Sequence, residues 1–406
     1  MTHINHKDIS ELADEFGTPL YVYDKQRIVE NYNRLNNAFV KNYPKTKIHF
    51  SVKSNSNVHI LSVFNQLGAG ADCSSPNEVM LAQKAGFADR DIIYTGNYES
   101  YDDFESLKNF DVKINLDDST SFDRLIEQFT PDIVSFRINP GIGRGGYEGI
   151  TTGGTDAKFG IPYEFAGEAY KKAKQHGIAR FGIHMMTGSN NLEPYYFAQT
   201  VEKLMLISKN IFDQIGAIPE YLDIGGGFGI PYEDDELPLD IEKTAELVTE
   251  IFAEKCQKYG FGEPVLFLEP GRYLVADAGW LIAKVTGTKH SYKKFVGVDA
   301  GMSTLIRPAL YGAYHRAYIY GKEGDDTVVN LCGQICENSD VFAKSVHLPV
   351  AEIGDLMIIR DVGAYGYVMS SNYNNRLRPA EVLIDNAKPH LIRRRETFED
   401  LLSLLP

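Results

Sequence analysis

The chain has few cysteines and no long apolar run, and each shortage excludes a class of protein. Four cysteines in 406 residues are too sparse for a disulfide framework, and their spacing completes no zinc-type ligand set, so we expect no metal site. Nowhere do about 18 apolar residues follow one another, as a membrane span needs. The first six residues contain no apolar signal-peptide core. We therefore expect a cytoplasmic protein with reduced thiols.

Basic residues are also in deficit. Lysine and arginine total 41 against 55 acidic residues, which gives a formal net charge of -14. The run Arg393-Arg394-Arg395 is too short to form a basic surface. This balance disfavours nucleic acid and anionic membranes as partners and leaves a small molecule as the expected ligand.

What the chain does contain is a regular alternation of strand-type and helical segments. Strands are predicted at 48–52, 69–73, 91–95, 112–116, 133–138, 181–186, 221–224 and 265–268, each followed by room for a helix. Eight such units are the number that closes a TIM barrel. We predict an α/β domain of this (β/α)8 type over residues 27–275.

The alternation ends after residue 271 and a different pattern follows. Closely spaced β-type runs occur at 281–286, 295–298, 317–320, 328–331, 356–360 and 382–385, with turns between them. We predict a second, all-β domain of sandwich or barrel type over residues 276–406, to which residues 1–26 contribute. Two domains also agree with a chain longer than one hydrophobic core usually supports.

Lys53 stands where the first predicted barrel strand runs into a Ser/Asn turn. A solvated lysine at a strand end is one interpretation, since lysines are mostly exposed. The other is an amine held in place for Schiff-base chemistry. The residue type alone leaves both interpretations open.

Other distinctive residues also follow predicted barrel strands, whose carboxyl ends meet at one face of a barrel. They are Arg137 and Asn139 after the fifth strand, 184–189 after the sixth, 225–229 after the seventh and 269–272 after the eighth. The glycines among them allow backbone amides to approach an anion, although a tight turn explains the same run. The spacing is not that of a dinucleotide-binding motif.

Lys53, the glycine run and Glu269 together match the needs of pyridoxal 5'-phosphate. The cofactor requires a Schiff-base amine, an anion site and a partner for its pyridine nitrogen. Glu269 would keep that nitrogen protonated, although an internal pair with Arg272 is the alternative. A bound electron sink of this kind favours decarboxylation of an amino acid.

Ordered motifs along nearly the whole chain carry a family resemblance. They lie at 50–55, 70–75, 137–141, 158–161, 223–229, 269–273, 336–340, 363–365 and 373–376. With them the chain resembles the fold-type III pyridoxal-phosphate decarboxylases, most closely the diaminopimelate decarboxylases. The resemblance implies an alanine-racemase-like barrel, conversion of meso-diaminopimelate to L-lysine and carbon dioxide, and a homodimer with shared active sites.

The resemblance also assigns residues. It implies that Lys53 and Cys336 are catalytic. The implied cofactor-binding residues are Lys53, His184, Met186, Ser189, Gly226, Gly227, Glu269, Gly271, Arg272 and Tyr365. The implied substrate-binding residues are Arg272, Arg307, Tyr311, Glu337 and Tyr365, of which the first four hold the far end of the substrate.

Met186 departs from the family pattern. The decarboxylases usually carry a second histidine here, against the cofactor ring, and methionine cannot donate a proton or carry charge there. The segment after Gly96 also lacks a lysine often found in the family. Both differences favour a decarboxylase of another amino-acid derivative as the alternative. Three alternatives are more remote: an amino-acid racemase, a non-catalytic cofactor-binding protein and an aldolase-like Schiff-base barrel. Glu269 argues against the racemase.

Overall fold

A computed structural model describes residues 3–141, 143–145, 154, 156–324 and 326–406, with the backbone alone at Arg144 and Gly145. It contains two compact units. One consists of Met1–Glu30, Tyr232–Glu236 and Leu274–Pro406, and the other of Asn31–Pro231 and Leu237–Tyr273. We call the first the β unit and the second the barrel unit.

The barrel unit contains a closed barrel of eight strands, each parallel to its neighbours. In chain order the strands are Thr46–Ser51, Gly70–Cys73, Ile92–Thr95, Lys113–Leu116, Ile133–Phe136, Arg180–His184, Tyr221–Asp223 and Val265–Leu268. Most of their residues are buried, which is why the sequence shows apolar runs here. The predicted barrel is confirmed, with strand ends that differ by a few residues.

Helices follow the barrel strands, as the alternation predicts. They are Val58–Gln66, Pro76–Lys84, Tyr101–Leu107, Ser119–Gln128, Ala166–Gln175, Pro194–Ile215, Ile241–Tyr259 and Arg272–Val275. The helix Lys25–Asn42 precedes the first barrel strand. Their starts have local causes. Ser75, for example, accepts the Glu78 N–H (3.2 Å) in front of Pro76 at the first turn.

The β unit contains one nine-stranded sheet. Its strands are Leu20–Asp24, Gly279–His290, Lys294–Val298, Ala317–Ile319, Thr327–Cys332, Val341–Leu348, Leu356–Arg360, Ala380–Asp385 and Lys388–Arg393. Gly279–His290 is its branch point. The first half of this strand pairs with Leu20–Asp24 and Leu356–Arg360, and the second half pairs with Lys294–Val298. The predicted β-type second domain is confirmed as a sheet. The strand Leu20–Asp24, from the N-terminal region, is part of it.

Shorter elements complete the described chain. The helices Ile9–Phe16, Arg307–Tyr311 and Phe398–Leu402 belong to the β unit. Two-residue strands pair His3–Ile4 with Lys7–Asp8, Ile138–Asn139 with Ile161–Pro162, and Arg144–Gly145 with Gly188–Ser189. Single 3₁₀ turns occur at Val52–Ser54, Asp89–Asp91, Ala276–Ala278, Tyr367–Met369 and Tyr373–Asn375. Among the described residues, every helix is too short or too polar to cross a membrane.

Candidate active site

Lys53 lies in the 3₁₀ turn Val52–Ser54, directly after the first barrel strand. The strand itself ends at Ser51, because the Asn55 amide donates a hydrogen bond back to the Val52 carbonyl (3.0 Å) and closes the turn. The Ser/Asn sequence after the strand therefore fixes the backbone that carries the lysine.

The Lys53 amine is anchored on a buried carboxylate. Its Nζ atom lies 2.8 Å from Asp72 Oδ2, and the Lys53 side chain is 43% exposed whereas that of Asp72 is fully buried. Ser51 is opposite Asp72 in the strand pairing, and its hydroxyl lies 2.9 Å from the same carboxylate oxygen. The amine is thus held by its ion pair while the rest of the side chain stays accessible to a ligand.

Glu269 follows the eighth barrel strand and joins a buried cluster. Its Oε2 atom lies 3.0 Å from His184 Nε2. Asp223 is opposite His184 in the strand pairing, and the ligand-type atoms of all three side chains lie within 4.8 Å of one another. These three form the one group of metal-ligand type found among the described residues. The His184–Glu269 hydrogen bond and the pairing of the strands that carry His184 and Asp223 also explain this closeness without an ion.

The pKa values of the two acids of the cluster are shifted in opposite directions. Burial would raise the pKa of Glu269, but the electrostatic interaction and hydrogen bond with His184, together with the charge of Lys53, outweigh it and lower this pKa to about 2. Burial, and then the negative charge of Glu269, raise the pKa of Asp223 well above its ordinary value. Two carboxylates this close do not both ionise easily, so we expect Glu269 to hold the charge and Asp223 to hold a proton.

The glycine run after the seventh strand is a close-packed turn. A Cβ atom on Gly226 would lie 2.3 Å from the Glu269 carbonyl oxygen, and Gly227 has a φ of +94°. Only glycine fits these two positions without strain. Met186 contacts the same turn, where its sulfur accepts the Gly226 N–H at 3.1 Å.

Three further predicted residues lie in the barrel unit near this turn. Arg272 is buried and its Nη2 atom donates to the Ser189 hydroxyl (3.3 Å). A Cβ on Gly271 would lie 2.9 Å from Ser54 Cβ, so the eighth-strand loop passes close to the turn of Lys53. The structure thus brings together all the predicted residues of the barrel unit: Lys53, His184, Met186, Ser189, Gly226, Gly227, Glu269, Gly271 and Arg272.

The remaining predicted residues belong to the β unit. Arg307 is buried at the start of the helix Arg307–Tyr311, and Tyr311 ends that helix. Tyr365 has a left-handed backbone, with a φ of 57°, in the loop after the strand Leu356–Arg360.

Cys336 and Glu337 are exposed side by side in a loop of the β unit. The Cys336 sulfur lies 3.2 Å from Asn374 Oδ1, and that oxygen also accepts the Cys336 N–H at 3.1 Å. Glu337 accepts a hydrogen bond from the Tyr373 hydroxyl. The motif segments 336–340 and 373–376 therefore contact each other.

Sequence reasoning missed several residues that shape this site. Asp72 and Asp223 lie within recognised motifs, but only the strand register shows that they face Ser51 and His184. The available signal was their position at strand ends, since Asp223 is the last residue of its barrel strand and Asp72 the next to last. Asn374 also lies within a recognised motif, but its contact with Cys336 joins segments 38 residues apart in the chain.

The barrel-unit residues fit pyridoxal phosphate. Lys53 offers an accessible amine, and Gly226 and Gly227 form a turn that excludes side chains. Glu269 Oε1 is buried and has no hydrogen-bond partner among the described residues. An anionic carboxylate with acceptor capacity to spare suits a protonated pyridine nitrogen.

Comparison with known protein families gives one match over the barrel region. Residues 26–276 match the model described as "Pyridoxal-dependent decarboxylase, pyridoxal binding domain". This range contains every residue of the barrel-unit site.

Similar whole proteins are also known. The chain is 42% identical over 402 residues to the diaminopimelate decarboxylase of Methanothermobacter thermautotrophicus, covering 98% of this chain and 94% of that one. It is 39% identical over 401 residues to the diaminopimelate decarboxylase of Thermoplasma acidophilum, covering 98% and 96%. The crystal structure of diaminopimelate decarboxylase from Helicobacter pylori complexed with L-lysine is similar with a TM-score of 0.90 and 31% identity, covering 98% of this chain and 99% of that one.

Proposed function

This chain belongs to the pyridoxal-dependent decarboxylases, and we propose that it removes carbon dioxide from meso-diaminopimelate to form L-lysine. The family resemblance of the sequence is thereby confirmed, as are pyridoxal phosphate as the cofactor and the carboxy-lyase reaction class. The racemase, the non-catalytic protein and the aldolase-like barrel are set aside.

The barrel-unit side chains have distinct parts in this proposal. When bound, pyridoxal phosphate supplies an electron sink for the bond that breaks at the substrate Cα. Lys53 would hold the cofactor through its amine, and Ser189 and the Gly226–Gly227 amides would face its phosphate. Glu269 would accept a hydrogen bond from its protonated ring nitrogen. The hydrogen bond with His184 and the raised pKa of Asp223 favour an anionic Glu269 at that position.

The observation that carries the substrate proposal is the environment of Arg307. This guanidinium is 2% exposed, and its hydrogen-bond partners are two uncharged groups, the Tyr232 hydroxyl and the His315 ring. Within the part of the chain that the structure describes, no carboxylate forms an ion pair with it. A buried cation without an anionic partner is costly, so a ligand carboxylate is the expected partner. Diaminopimelate has a second carboxylate for this role, and ornithine does not have one.

We assign two further roles to residues of the β unit, one at the reacting carbon and one at the distal amino group of the substrate. Cys336 would return a proton to the carbon that loses carbon dioxide. Glu337, together with Tyr311 and Tyr365, would bind the distal amino group and its surroundings. Both Cys336 and Glu337 are exposed in the single chain.

This exposure supports a homodimer with shared sites, in which a two-fold axis lets each subunit donate its loop to the other. We also place the enzyme in the cytoplasm, because all four cysteines are free thiols.

Met186 supports a second candidate, a decarboxylase of another amino-acid derivative. Its sulfur accepts the Gly226 N–H where the family usually carries a histidine. A thioether is a weak acceptor and offers no proton, so the cofactor ring would have an apolar neighbour on this side.

A carbon dioxide release assay on the holoenzyme distinguishes these candidates. meso-Diaminopimelate, L-lysine and L-ornithine are compared at equal concentration, with Lys53→Ala as the inactive control. We expect the highest kcat/KM for meso-diaminopimelate, by about 100-fold or more. The single carboxylate of L-lysine or L-ornithine lies at the reacting carbon, so neither has a distal carboxylate for Arg307. A clear preference for another amino acid would replace diaminopimelate by that substrate.

A further inference from the structure

Arg307 has two supports within the β unit. Its Nη1 atom lies 3.1 Å from the Tyr232 hydroxyl and 2.8 Å from His315 Nε2. The guanidinium also lies 5.0 Å from the centre of the Tyr232 ring. The Tyr232 and His315 rings contact each other edge to face, with centres 5.3 Å apart. The guanidinium thus contacts two buried rings, those of Tyr232 and His315.

The hydrogen bonds define the tautomer of His315. An arginine can only donate, so His315 Nε2 must accept with a free lone pair. The proton then lies on Nδ1, which is 2.9 Å from the Arg360 carbonyl and donates to it. Arg360 ends a strand of the sheet, so this hydrogen bond ties the imidazole to a rigid element. A doubly protonated ring could not accept from Arg307 at all.

We propose that His315 is a positioning residue, whose Nε2 lone pair orients the Arg307 guanidinium to bind the distal carboxylate of the substrate. The inference rests on the proposed function, since it requires a ligand with that carboxylate. Tyr232 supports the second side of the guanidinium from the segment Tyr232–Glu236. A planar guanidinium binds a carboxylate through paired N–H groups, so its rotation as well as its place must be set.

Two substitutions of His315 separate the two ring nitrogens. In His315→Gln the amide oxygen can take the place of Nε2 and still accept from Arg307. In His315→Asn the shorter amide can take the place of Nδ1 and still donate to the Arg360 carbonyl, but it cannot reach Arg307. His390→Asn, at an exposed histidine of the same unit, is the matched control.

The measurement is ligand binding to the holoenzyme by calorimetry. L-Lysine keeps the distal carboxylate of the substrate, whereas 1,5-diaminopentane is the same molecule without it. We expect His315→Asn to weaken L-lysine binding by about 10- to 100-fold and to change 1,5-diaminopentane binding by less than about 3-fold. His315→Gln and the control should bind both ligands nearly as the parent does.

The outcomes separate this inference from the proposed function. If the parent binds L-lysine no better than 1,5-diaminopentane, Arg307 recognises no distal carboxylate and both proposals are overturned. If the parent prefers L-lysine but His315→Asn keeps that preference, only the role of His315 is overturned. Equal losses for both ligands, or a His315→Gln variant as weak as His315→Asn, would show a merely structural residue. If His315→Asn fails to fold, His315→Gln decides alone. A preference for L-lysine equal to that of the parent supports the role of His315, and a lost preference overturns it.

Discussion

At the residue scale, the carboxyl end of the barrel contains several buried acidic side chains, which are rare in protein cores. Asp72, Asp223 and Glu269 are all at least 95% buried, and ligand-type atoms of Asp223 and Glu269 lie within 4.8 Å of each other. Lys53 and His184 offset part of this charge through direct contacts. The remaining imbalance is relieved by a proton on Asp223, because its burial and the nearby Glu269 raise its pKa.

A protonated Asp223 predicts that asparagine can replace it. The Asn amide could still accept the Gly225 N–H, which Asp223 accepts at 2.7 Å, and could still donate toward Glu269. We expect Asp223→Asn to keep decarboxylase activity within about 10-fold of the parent, whereas Asp223→Ala should lose about 100-fold or more. Steady-state kinetics at neutral pH make the comparison. A loss in Asp223→Asn as large as in Asp223→Ala would mean that the residue acts as an anion.

Glu269 is expected to act as the anion of the cluster. Glu269→Gln removes the negative charge opposite the place proposed for the ring nitrogen, and that charge matters most as electrons enter the ring. We expect kcat to fall by about 100-fold or more while cofactor affinity falls by less than about 10-fold. Cofactor affinity is measured by titrating the apoenzyme. Unchanged kcat in Glu269→Gln would contradict the assignment.

Asp361 in the β unit predicts a pH-dependent stability. Burial is the main cause that raises its pKa from the ordinary value of 3.8 to about 6. Its stability contribution is therefore present below about pH 4 and lost as the pH rises through about 6, at a cost of about 3 kcal/mol or less. Asp361→Asn should be more stable than the parent at pH 7.5, and this advantage should vanish near pH 4.

Thermal unfolding at the two pH values measures this difference. Asparagine also tolerates the left-handed backbone of Asp361, which has a φ of 61°, so the substitution changes the charge with little strain. Asp326→Asn, at an exposed carboxylate of the same unit, is the control. An advantage of Asp361→Asn that is equal at both pH values would point to packing rather than to ionisation.

At the scale of elements, backbone hydrogen bonds hold the loops that follow the barrel strands and carry the site residues. The segment after the seventh strand is held by the Glu269 amide, which donates to the Gly225 carbonyl (2.8 Å). It is also held by the Asn191 amide, which donates to the Gly227 carbonyl (2.8 Å). Three neighbouring strand ends are thus fastened to one glycine turn.

Gly226→Ala tests the tightness of this turn. The added Cβ would collide with the Glu269 carbonyl oxygen, so we expect a loss of about 1–3 kcal/mol in unfolding free energy and weaker cofactor retention. Gly287→Ala is the matched control, because a Cβ there would meet no atom within 4 Å. Denaturant unfolding and cofactor absorbance after dialysis are the readouts. Equal behaviour of the two variants would show that the turn can relax.

The sequence predicts elements well where burial is continuous and poorly at sheet edges. All eight barrel strands are predicted, because buried parallel strands leave apolar runs. In the β unit the strand Val341–Leu348 was not predicted, since Ser345 adopts a left-handed φ of 54° and interrupts the alternation. Lys388–Arg393 was missed because it is largely exposed and contains Pro389.

The candidate site was predictable to the extent that its residues stand at strand ends. Lys53 and Glu269 follow barrel strands, so the barrel geometry alone brings them to one face. The partners of Arg307 were not predictable, because Tyr232 is 75 positions away in the chain and His315 is recognised only by its hydrogen bonds. Register and long-range contacts are set by packing, which no local pattern records.

At the scale of the whole molecule, the residues proposed for catalysis are divided between the two units. Lys53 belongs to the barrel unit, whereas Cys336 and Glu337 belong to the β unit. In a two-fold dimer with shared sites, each site would combine the lysine of one subunit with the thiol of the other. Activity in mixed dimers then depends on which chain carries which substitution.

Lys53→Ala and Cys336→Ala are each expected to be nearly inactive alone, but a mixture should recover. If equal amounts are unfolded and reassembled at random, about half of the dimers are hybrids, and each hybrid has one intact site, so activity should reach about a quarter of the parent value. The matched control mixes the parent with the double variant Lys53→Ala/Cys336→Ala. With shared sites its hybrids are inactive and activity should be about a quarter, whereas sites within one chain would give about a half. No recovery in the first mixture, with hybrids verified by mass spectrometry, would place both residues of each site in the same chain.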